Sequence, residues 1–469
     1  MQRNVLIPLI VACALFMENM DSTVLATSLP AIAQDIGEDP LALKLALTSY
    51  LVALAIFIPI SGWMADRYGS RRIFAAAILV FMGGSLACAA SSTLAAFVLA
   101  RFVQGIGGAM MVPVGRLVLL KTVPKSGLVA ALNYLTVPAL LGPIMGPPLG
   151  GLITQYFNWR GIFLINVPIS IAGLALVLRH IPDIREAELP ALDTRGFALL
   201  GSGLAALMLG LSALGAHLIS GAIIAACVVA GTFALLGYVR HARRSADPVI
   251  DLGLLRLPTY RAGVLGGSLF RIGVGATPFL LPLMFQLGFG LDPFHSGLLT
   301  CATAIGAMFM KTFTINILRR FGFRQVMTVN VVLASSVVGM YGLFTAATPH
   351  ALIVAILLAS GCLRSLQFTS LNAISFAEIS RRTMSQASSL QSMAQRLSQS
   401  LGVVIGGYAL QWSSRLQGHA SVVSADFWPA FLLIAVISAA SVAFNWTLAP
   451  DAGGEISGKG REAGDGPGA

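Results

Sequence analysis

Fourteen apolar runs punctuate the chain. They fall near residues 5–29, 45–66, 72–92, 95–119, 127–155, 161–180, 195–215, 219–239, 262–286, 296–318, 325–345, 350–376, 386–412 and 426–447. Each is long enough for one helical crossing of a bilayer, which takes about 20 apolar residues. A membrane β-barrel would instead show short alternating segments, and these runs are too long and too uniformly apolar for that. With 56% hydrophobic residues, 10% charged and a mean hydropathy of +0.83, no soluble core could absorb them. The expected fold class is therefore an all-α polytopic membrane protein with fourteen transmembrane helices. The first run continues through Asp21 into TSLPAI with no small-residue cleavage site, so it reads as a retained span. All five cysteines lie inside apolar runs without metal-ligand spacing, and they read as small buried hydrophobes.

Basic residues fix the expected orientation. One side of the span pattern collects Arg3, the Arg67/Arg71/Arg72 group, Arg116, Lys121, Lys125 and every later loop cluster through Lys459 and Arg461, 22 in all. The other side holds only Lys44, Arg160 and Arg415, and the remaining 5 of the 30 lie within spans. Both termini are thus expected in the cytoplasm. The net charge of +11 is a topology signal; a nucleic-acid footprint would need a basic soluble face, and the pattern leaves none. The last residues, PDAGGEISGKGREAGDGPGA, read as a disordered tail.

The chain also repeats itself. GWMADRYGSRR (Gly62–Arg72) closes the second span and INILRRFGFRQ (Ile315–Gln325) closes the tenth; setting Gly69 on Gly322 also sets Arg71 on Arg324. Two six-span halves follow, with two spans inserted between them. The expected organisation is an N-terminal six-helix bundle over 1–180, two inserted helices with cytoplasmic linkers over 181–258, a C-terminal six-helix bundle over 259–447, and a tail over 448–469. Two such bundles around a midplane cavity is the usual design of secondary transporters. In the first loop, Gly62 would permit close helix approach, Gly69 a tight turn, and Asp66 could pair with neighbouring arginines such as Arg67, Arg71 and Arg72 to hold a gate closed. In LLGPIMGPPLGG, Gly142, Gly146 and Gly150 recur every fourth residue, a stripe for backbone-to-backbone packing that Gly151 extends, while Pro143, Pro147 and Pro148 bend the helix.

GWMADRYGSRR resembles the signature between the second and third helices of the major facilitator superfamily. RFVQGIGGA (Arg101–Ala109) is similar to its fourth-helix motif, LLGPIMGPPLGG to its fifth-helix antiporter motif, and MENMDSTVLATSLPAI with NWRGIFLINVPISI to its fourteen-span drug:proton antiporters. The resemblance covers nearly the whole chain. It implies proton-coupled efflux of small molecules across a bacterial inner membrane, the antiporter meaning of the fifth-helix glycines, and gating at the two loop motifs. At the second loop Arg319 stands where the family has Asp, so a charge-paired gate is not expected there.

Seven ionisable residues fall within spans: Glu18, Asp21, Arg101, Arg271, Lys311, Arg364 and Arg396. Each costs at least about 2.5 kcal/mol at a helix centre, so each marks either function or a specific partner. Counting about 1.5 Å per residue from the cytoplasmic ends puts Glu18 and Asp21 at ~20 and ~24 Å, Arg101 at ~24 Å, Lys311 at ~10 Å, and the other arginines at ~14–18 Å. Asp21 and Arg101 share a depth and are expected to pair, as the proton-coupling site with Glu18 beside them. Arg271, Lys311, Arg364 and Arg396 are expected to line a positive site, with Gln286 and Gln367 as polar support. Such a site favours an anionic substrate, for instance a di- or tricarboxylate or its metal chelate. The alternative is polyspecific export of lipophilic or cationic drugs.

Other classes fare worse. The segment GAMFMKTFTINIL lacks the glycine that a phosphate loop needs before its lysine, so Lys311 binds no nucleotide in that manner. The six histidines lie in loops or at span ends with no HxxxH pair, which argues against an intramembrane hydrolase and against a metal. A non-transporting receptor of the same fold is the remaining rival. No cofactor is expected, the partners are substrate, protons and lipid, and the chain is expected to act as a monomer.

Overall fold

The computed structural model describes residues 3–122, 128–186, 191–214, 220–380, 383–419 and 421–457. Among them every regular element is helical. The first eight long helices are α1 (Arg3–Ile36), α2 (Lys44–Tyr68), α3 (Ser70–Ala90), α4 (Leu94–Thr122), α5 (Leu128–Tyr156), α6 (Gly161–His180), α7 (Thr194–Ala213) and α8 (Gly221–Ala242). Six more follow: α9 (Pro258–Gly288), α10 (Pro293–Phe321), α11 (Phe323–Tyr341), α12 (His350–Ser375), α13 (Met384–Leu416) and α14 (Ser424–Trp446).

Twelve of these are long and apolar enough to cross a membrane. The other two are α5, with 29 residues, and α13, with 33. At 1.5 Å per residue both exceed the roughly 30 Å of a hydrocarbon core. Helix α13 is the polar exception because of its stretch SQASSLQSMAQRLSQS, whose Gln391, Ser398 and Ser400 are buried against protein. A polar helix survives in a bilayer when its polar groups turn inward.

The chain forms two compact units, Met1–Ile250 with Leu281–Cys301, and Asp251–Leu280 with Ala302–Ala469. In the first, α5 lies along α1 at backbone distance. A Cβ on Gly146 would stand 2.1 Å from Thr23 Oγ1, and one on Gly150 would stand 2.5 Å from the Val24 carbonyl oxygen. The four-residue glycine stripe is thus a contact surface for α1, and Gly151 meets the Pro293 carbonyl of α10 in the same way. Helix α4 is clasped similarly, with Gly105 against Tyr50 and Ala53 of α2 and Gly107 against Phe81 of α3. Helix α7 packs on α2 through Phe197 and Phe57, whose ring centroids are 5.8 Å apart, and α8 packs on α7 where Gly231 meets Leu207. Gly62 behaves otherwise than expected: nothing lies within 4 Å of a Cβ placed there, so it brings no helix close.

The internal repeat survives as geometry. Gly69 and Gly322 both take positive φ, +102° and +81°, at the breaks between α2 and α3 and between α10 and α11. That conformation is cheap only for glycine. At the end of the chain, residues 448–457 are more ordered than their composition suggests. Leu448 is buried, Gly453 sits against Phe323 and Ile374, and a short helix covers Gly454–Ser457. Residues 458–469, the rest of the expected tail, lie outside the described residues.

Candidate functional site

In the first unit the carboxylate of Asp21 is the centre of a buried polar cluster. Its Oδ2 accepts a hydrogen bond from Arg101 Nη1 at 2.6 Å, and its Oδ1 accepts from Gln104 Nε2 at 2.8 Å and Asn166 Nδ2 at 3.0 Å. Gln104 and Asn166 also donate to Ser85 Oγ, at 2.8 and 3.3 Å. Arg101 donates a second bond, to Gln104 Oε1, and its guanidinium carbon sits 4.3 Å from the centroid of the Tyr50 ring. Asp21 is 3% exposed, and Arg101, Gln104, Asn166 and Ser85 are each at 0%. The aromatic face takes the side of the guanidinium that hydrogen bonds do not.

Local sequence explains the assembly. Arg101 and Gln104 are three residues apart and so share one face of α4. Gly84 lets α3 come close at that level, since a Cβ there would stand 2.6 Å from Gln104. Glu18, buried at 2% exposure, lies one turn from Asp21 on α1, about 4.5 Å along the axis. The pairing of Asp21 with Arg101 was readable from depth alone; Gln104, Asn166 and Ser85 were not, although Gln104 lies within RFVQGIGGA and Asn166 within NWRGIFLINVPISI.

The gate motif has different partners from those its sequence suggested. Asp66 pairs with Lys121 of α4 at 2.8 Å, not with Arg67, Arg71 or Arg72. Lys121 also reaches Glu186 at 2.6 Å, and Arg72 lies 3.6 Å from Asp183. Backbone bonds from Ser70 to Ile184 and from Glu186 to Asp66, at 3.0 and 3.1 Å, stitch the segment after α6 to this loop. Burial works against the Lys121 ammonium, but its two acidic partners outweigh that and hold its pKa above the usual lysine value. Arg67 is exposed and Arg71 half-buried.

Lys44 also departs from expectation. Instead of lying in an outer loop it opens α2 fully buried, donating to the Leu214 carbonyl at 2.9 Å. Trp159 is 4% exposed and donates to Asp35, which Arg160 pairs at 2.6 Å. Cys88 is buried as expected, whereas Cys13 is exposed and the other three cysteines are intermediate.

The second unit disperses the basic residues that sequence had grouped. Arg271 is fully buried, and it donates from Nη1 to the Gly263 carbonyl at 3.2 Å and from Nη2 to Asn372 Oδ1 at 2.9 Å. Gln391 of α13 shares that Asn372 oxygen at 2.9 Å. The guanidinium therefore runs back toward the start of α9 and braces it to α12, away from the level of its own Cα. Arg364 instead lines a small cavity with Phe270, Val274, Thr277, Ser335, Ser360 and Ser438. On α9 the cavity-facing residues are 270, 273, 274 and 277, and Arg271 stands roughly a third of a turn away from them. Lys311 is exposed, one turn along α10 from the exposed Met308 and Ile315, and Arg396 is half-buried.

The polar support residues are also engaged. Gln367 accepts from Asn330 at 2.9 Å, and Gln286 donates to the Thr27 carbonyl at 2.9 Å, so both join helices. Asn133 and Arg381–Arg382 lie outside the described side chains.

The profile of the Major Facilitator Superfamily matches residues 11–254. A relative from Serratia proteamaculans, carrying the provisional name multidrug resistance protein MdtD, is 40% identical over 398 residues, covering 85% of this chain and 83% of the relative. The chain belongs to the major facilitator superfamily. A second such relative, from Salmonella typhimurium, is 40% identical over 406 residues, with 86% of this chain and 85% of the relative covered. Solved superfamily structures share the fold across almost the whole chain. A D-xylose–proton symporter aligns with TM-score 0.69 at 14% identity, covering 96% of this chain and 98% of its own. A POT family transporter aligns with TM-score 0.69 at 16% identity, covering 94% and 96%. The chain is thus a multi-pass superfamily transporter related to the MdtD proteins, and not an enzyme.

Proposed function

We propose that this transporter exports small molecules from the cytoplasm across a bacterial inner membrane in exchange for protons, with both of its termini in the cytoplasm. The observation that carries the reading is the Asp21 cluster: a carboxylate buried at membrane depth, tied to Arg101 and to two neutral amides, with Glu18 a turn away. Intramembrane carboxylates are expensive and mark proton relays. A proton arriving on Asp21 removes the charge that Arg101 neutralises, so the α1–α4 link loosens and α6, held through Asn166, loses an anchor. Protonation and helix rearrangement are coupled in that way. The α1–α5 contact is close-packed through glycine and tied by Ser28 to Thr154 and by Thr27 to the Pro147 carbonyl, so the two helices would move together, and the turns at Gly69 and Gly322 give the gating loops their reversal.

For cargo, the surplus of basic over acidic side chains inside the spans favours an anion, such as a di- or tricarboxylate or its metal chelate, with Lys311 and Arg396 as contacts. Arg271, Gln286 and Gln367 are assigned to bracing because of the partners given above. The second reading, export of lipophilic cations, draws on the multidrug name of the MdtD relatives.

Inverted membrane vesicles separate these readings. Proton-driven uptake should be lost in Asp21→Asn, while thermal shifts of the purified protein by citrate should persist. Full coupled uptake by Asp21→Asn refutes the coupling site. A melting shift with rhodamine 6G and none with citrate or malate replaces the anion by the cationic drug.

A further inference from the structure

The cavity beside Arg364 has features that neither proton coupling nor cargo contact uses. It lies wholly inside the second unit, between α9, α11, α12 and α14. Its volume, traced by the centre of a water molecule, is about 20 Å³, room for one or two waters. Most of the wall is apolar: Phe270, Val274, Ala334 and Val338. Against that wall stand three kinds of donor. The Arg364 guanidinium has no carboxylate partner among the described residues. The hydroxyls of Ser335 and Ser438, 3% and 2% exposed, are buried without a hydrogen-bond partner among the described residues. Ser360, one turn before Arg364, completes the polar edge.

The space exists because of glycine. A Cβ at Gly273 would stand 2.3 Å from Ser438 Oγ, so only glycine admits that hydroxyl between α9 and α14. Thr277, by contrast, satisfies its own hydroxyl on the Gly273 carbonyl at 2.8 Å and adds no demand.

A half-buried arginine with no carboxylate partner among the described residues, sharing a small half-open cavity with two buried hydroxyls that lack partners, is an unfinished arrangement. An isolated buried charge is costly unless it is paired and hydrogen-bonded. An anion that accepts N–H and O–H donors from any direction would finish it. The void is too small for a di- or tricarboxylate, and a single guanidinium balances a single charge. We infer that the Arg364 cavity is a binding site for one halide ion, chloride in the cell, which stays with the second unit as its counter-ion and is not exported. The site goes beyond the export reading and removes Arg364 from the cargo contacts. Neutralising Arg364 in this way lets α9, α11, α12 and α14 close around it.

Melting of the full-length protein in detergent tests this at constant ionic strength, with sodium gluconate replaced stepwise by sodium chloride or bromide. Wild type should gain several degrees with a saturable, millimolar midpoint, and Arg364→Met should show no halide response. Should Arg364→Met fail to purify, the Ser335→Ala/Ser438→Ala double variant keeps the arginine and should need at least tenfold more halide for the same gain. Crystals grown in bromide should give one anomalous peak beside Arg364. A melting curve indifferent to halide in wild type overturns the site. So does a halide gain of equal size and midpoint in Arg364→Met, or density for water alone in bromide crystals. Proton-driven uptake by vesicles in gluconate reports on the Asp21 reading separately, since that cluster contains no part of the cavity.

Discussion

The two units treat buried charge in opposite ways. In the first, Arg101 meets a carboxylate, to which Gln104 and Asn166 also donate. In the second, Arg271 is spread over a backbone carbonyl and an asparagine, and Arg364 faces a cavity with no acid beside it. The Asp21 cluster is charge-balanced by its own chain; the Arg364 cavity leaves its balance to be supplied. A paired charge can be switched by a proton because the proton cancels one partner. An arginine alone, effectively always charged, has no such handle. The proposed proton coupling accordingly rests on α1, α4 and α6.

Removing the basic group from each core is the sharpest way to break this contrast. Arg101→Met strands a buried carboxylate and should destabilise by about 3–5 kcal/mol, the usual cost of breaking one side of a buried pair. Its readout is loss of monodisperse protein on gel filtration, or a melting temperature well below wild type. Arg364→Met in halide-free buffer should be neutral or stabilising, because it removes a charge that had no partner. Equal losses from both substitutions would erase the contrast.

Next in size is the brace around Asn372. Asn372→Ala leaves the Arg271 guanidinium and the Gln391 amide without their shared acceptor, and should cost about 1–3 kcal/mol. The loss should appear as lower melting temperature with proton-driven uptake retained. A large loss of uptake with unchanged melting would return Arg271 to the transport pathway.

These cases also show what sequence could and could not reveal. Span number, the glycine reversals at 69 and 322, the α5 stripe and the depth match of Asp21 with Arg101 all follow from one-dimensional periodicity. Depth along a helix is fixed by counting. Direction around the axis and the run of a long side chain are not, and Arg271 illustrates both: its guanidinium lies back toward Gly263, eight residues earlier on the chain. Neutral partners were invisible for another reason. Gln104, Asn166 and Ser85 carry no charge, so a count of ionisable residues does not flag them until three helices bring them to one carboxylate. Lys121 was counted only as a topology charge, and its pairing with Asp66 depends on how α4 ends beside α2.

A smaller effect should come from the repeated turns. Gly69→Ala and Gly322→Ala each force a Cβ into a left-handed backbone, worth about 1–2 kcal/mol. Gly69 should cost more than that, since its Cβ would also collide with Asp183, which lies 3.6 Å from Arg72. Melting of the two variants side by side checks this, and a Gly69→Ala protein as stable as wild type would remove the conformational argument for the loop.

The smallest effect belongs to the partly exposed triad of Asp66, Lys121 and Glu186. Ion pairs of this kind contribute about 0–1 kcal/mol, so Lys121→Met should shift melting by little at neutral pH. The pH dependence is more telling. The acidic partners raise the folded-state pKa of Lys121 above its ordinary 10.5, so the folded state holds this proton more tightly than the unfolded state does. Its stabilisation is fully present below pH 10.5 and is lost as pH climbs through the higher folded value. Wild type should therefore lose slightly more stability than Lys121→Met between neutral pH and pH 11, and the gap should shrink in high salt. If the two curves stay parallel across that range, the ammonium is not held by Asp66 and Glu186, and the loop is closed by its backbone bonds to residues 184–186 alone.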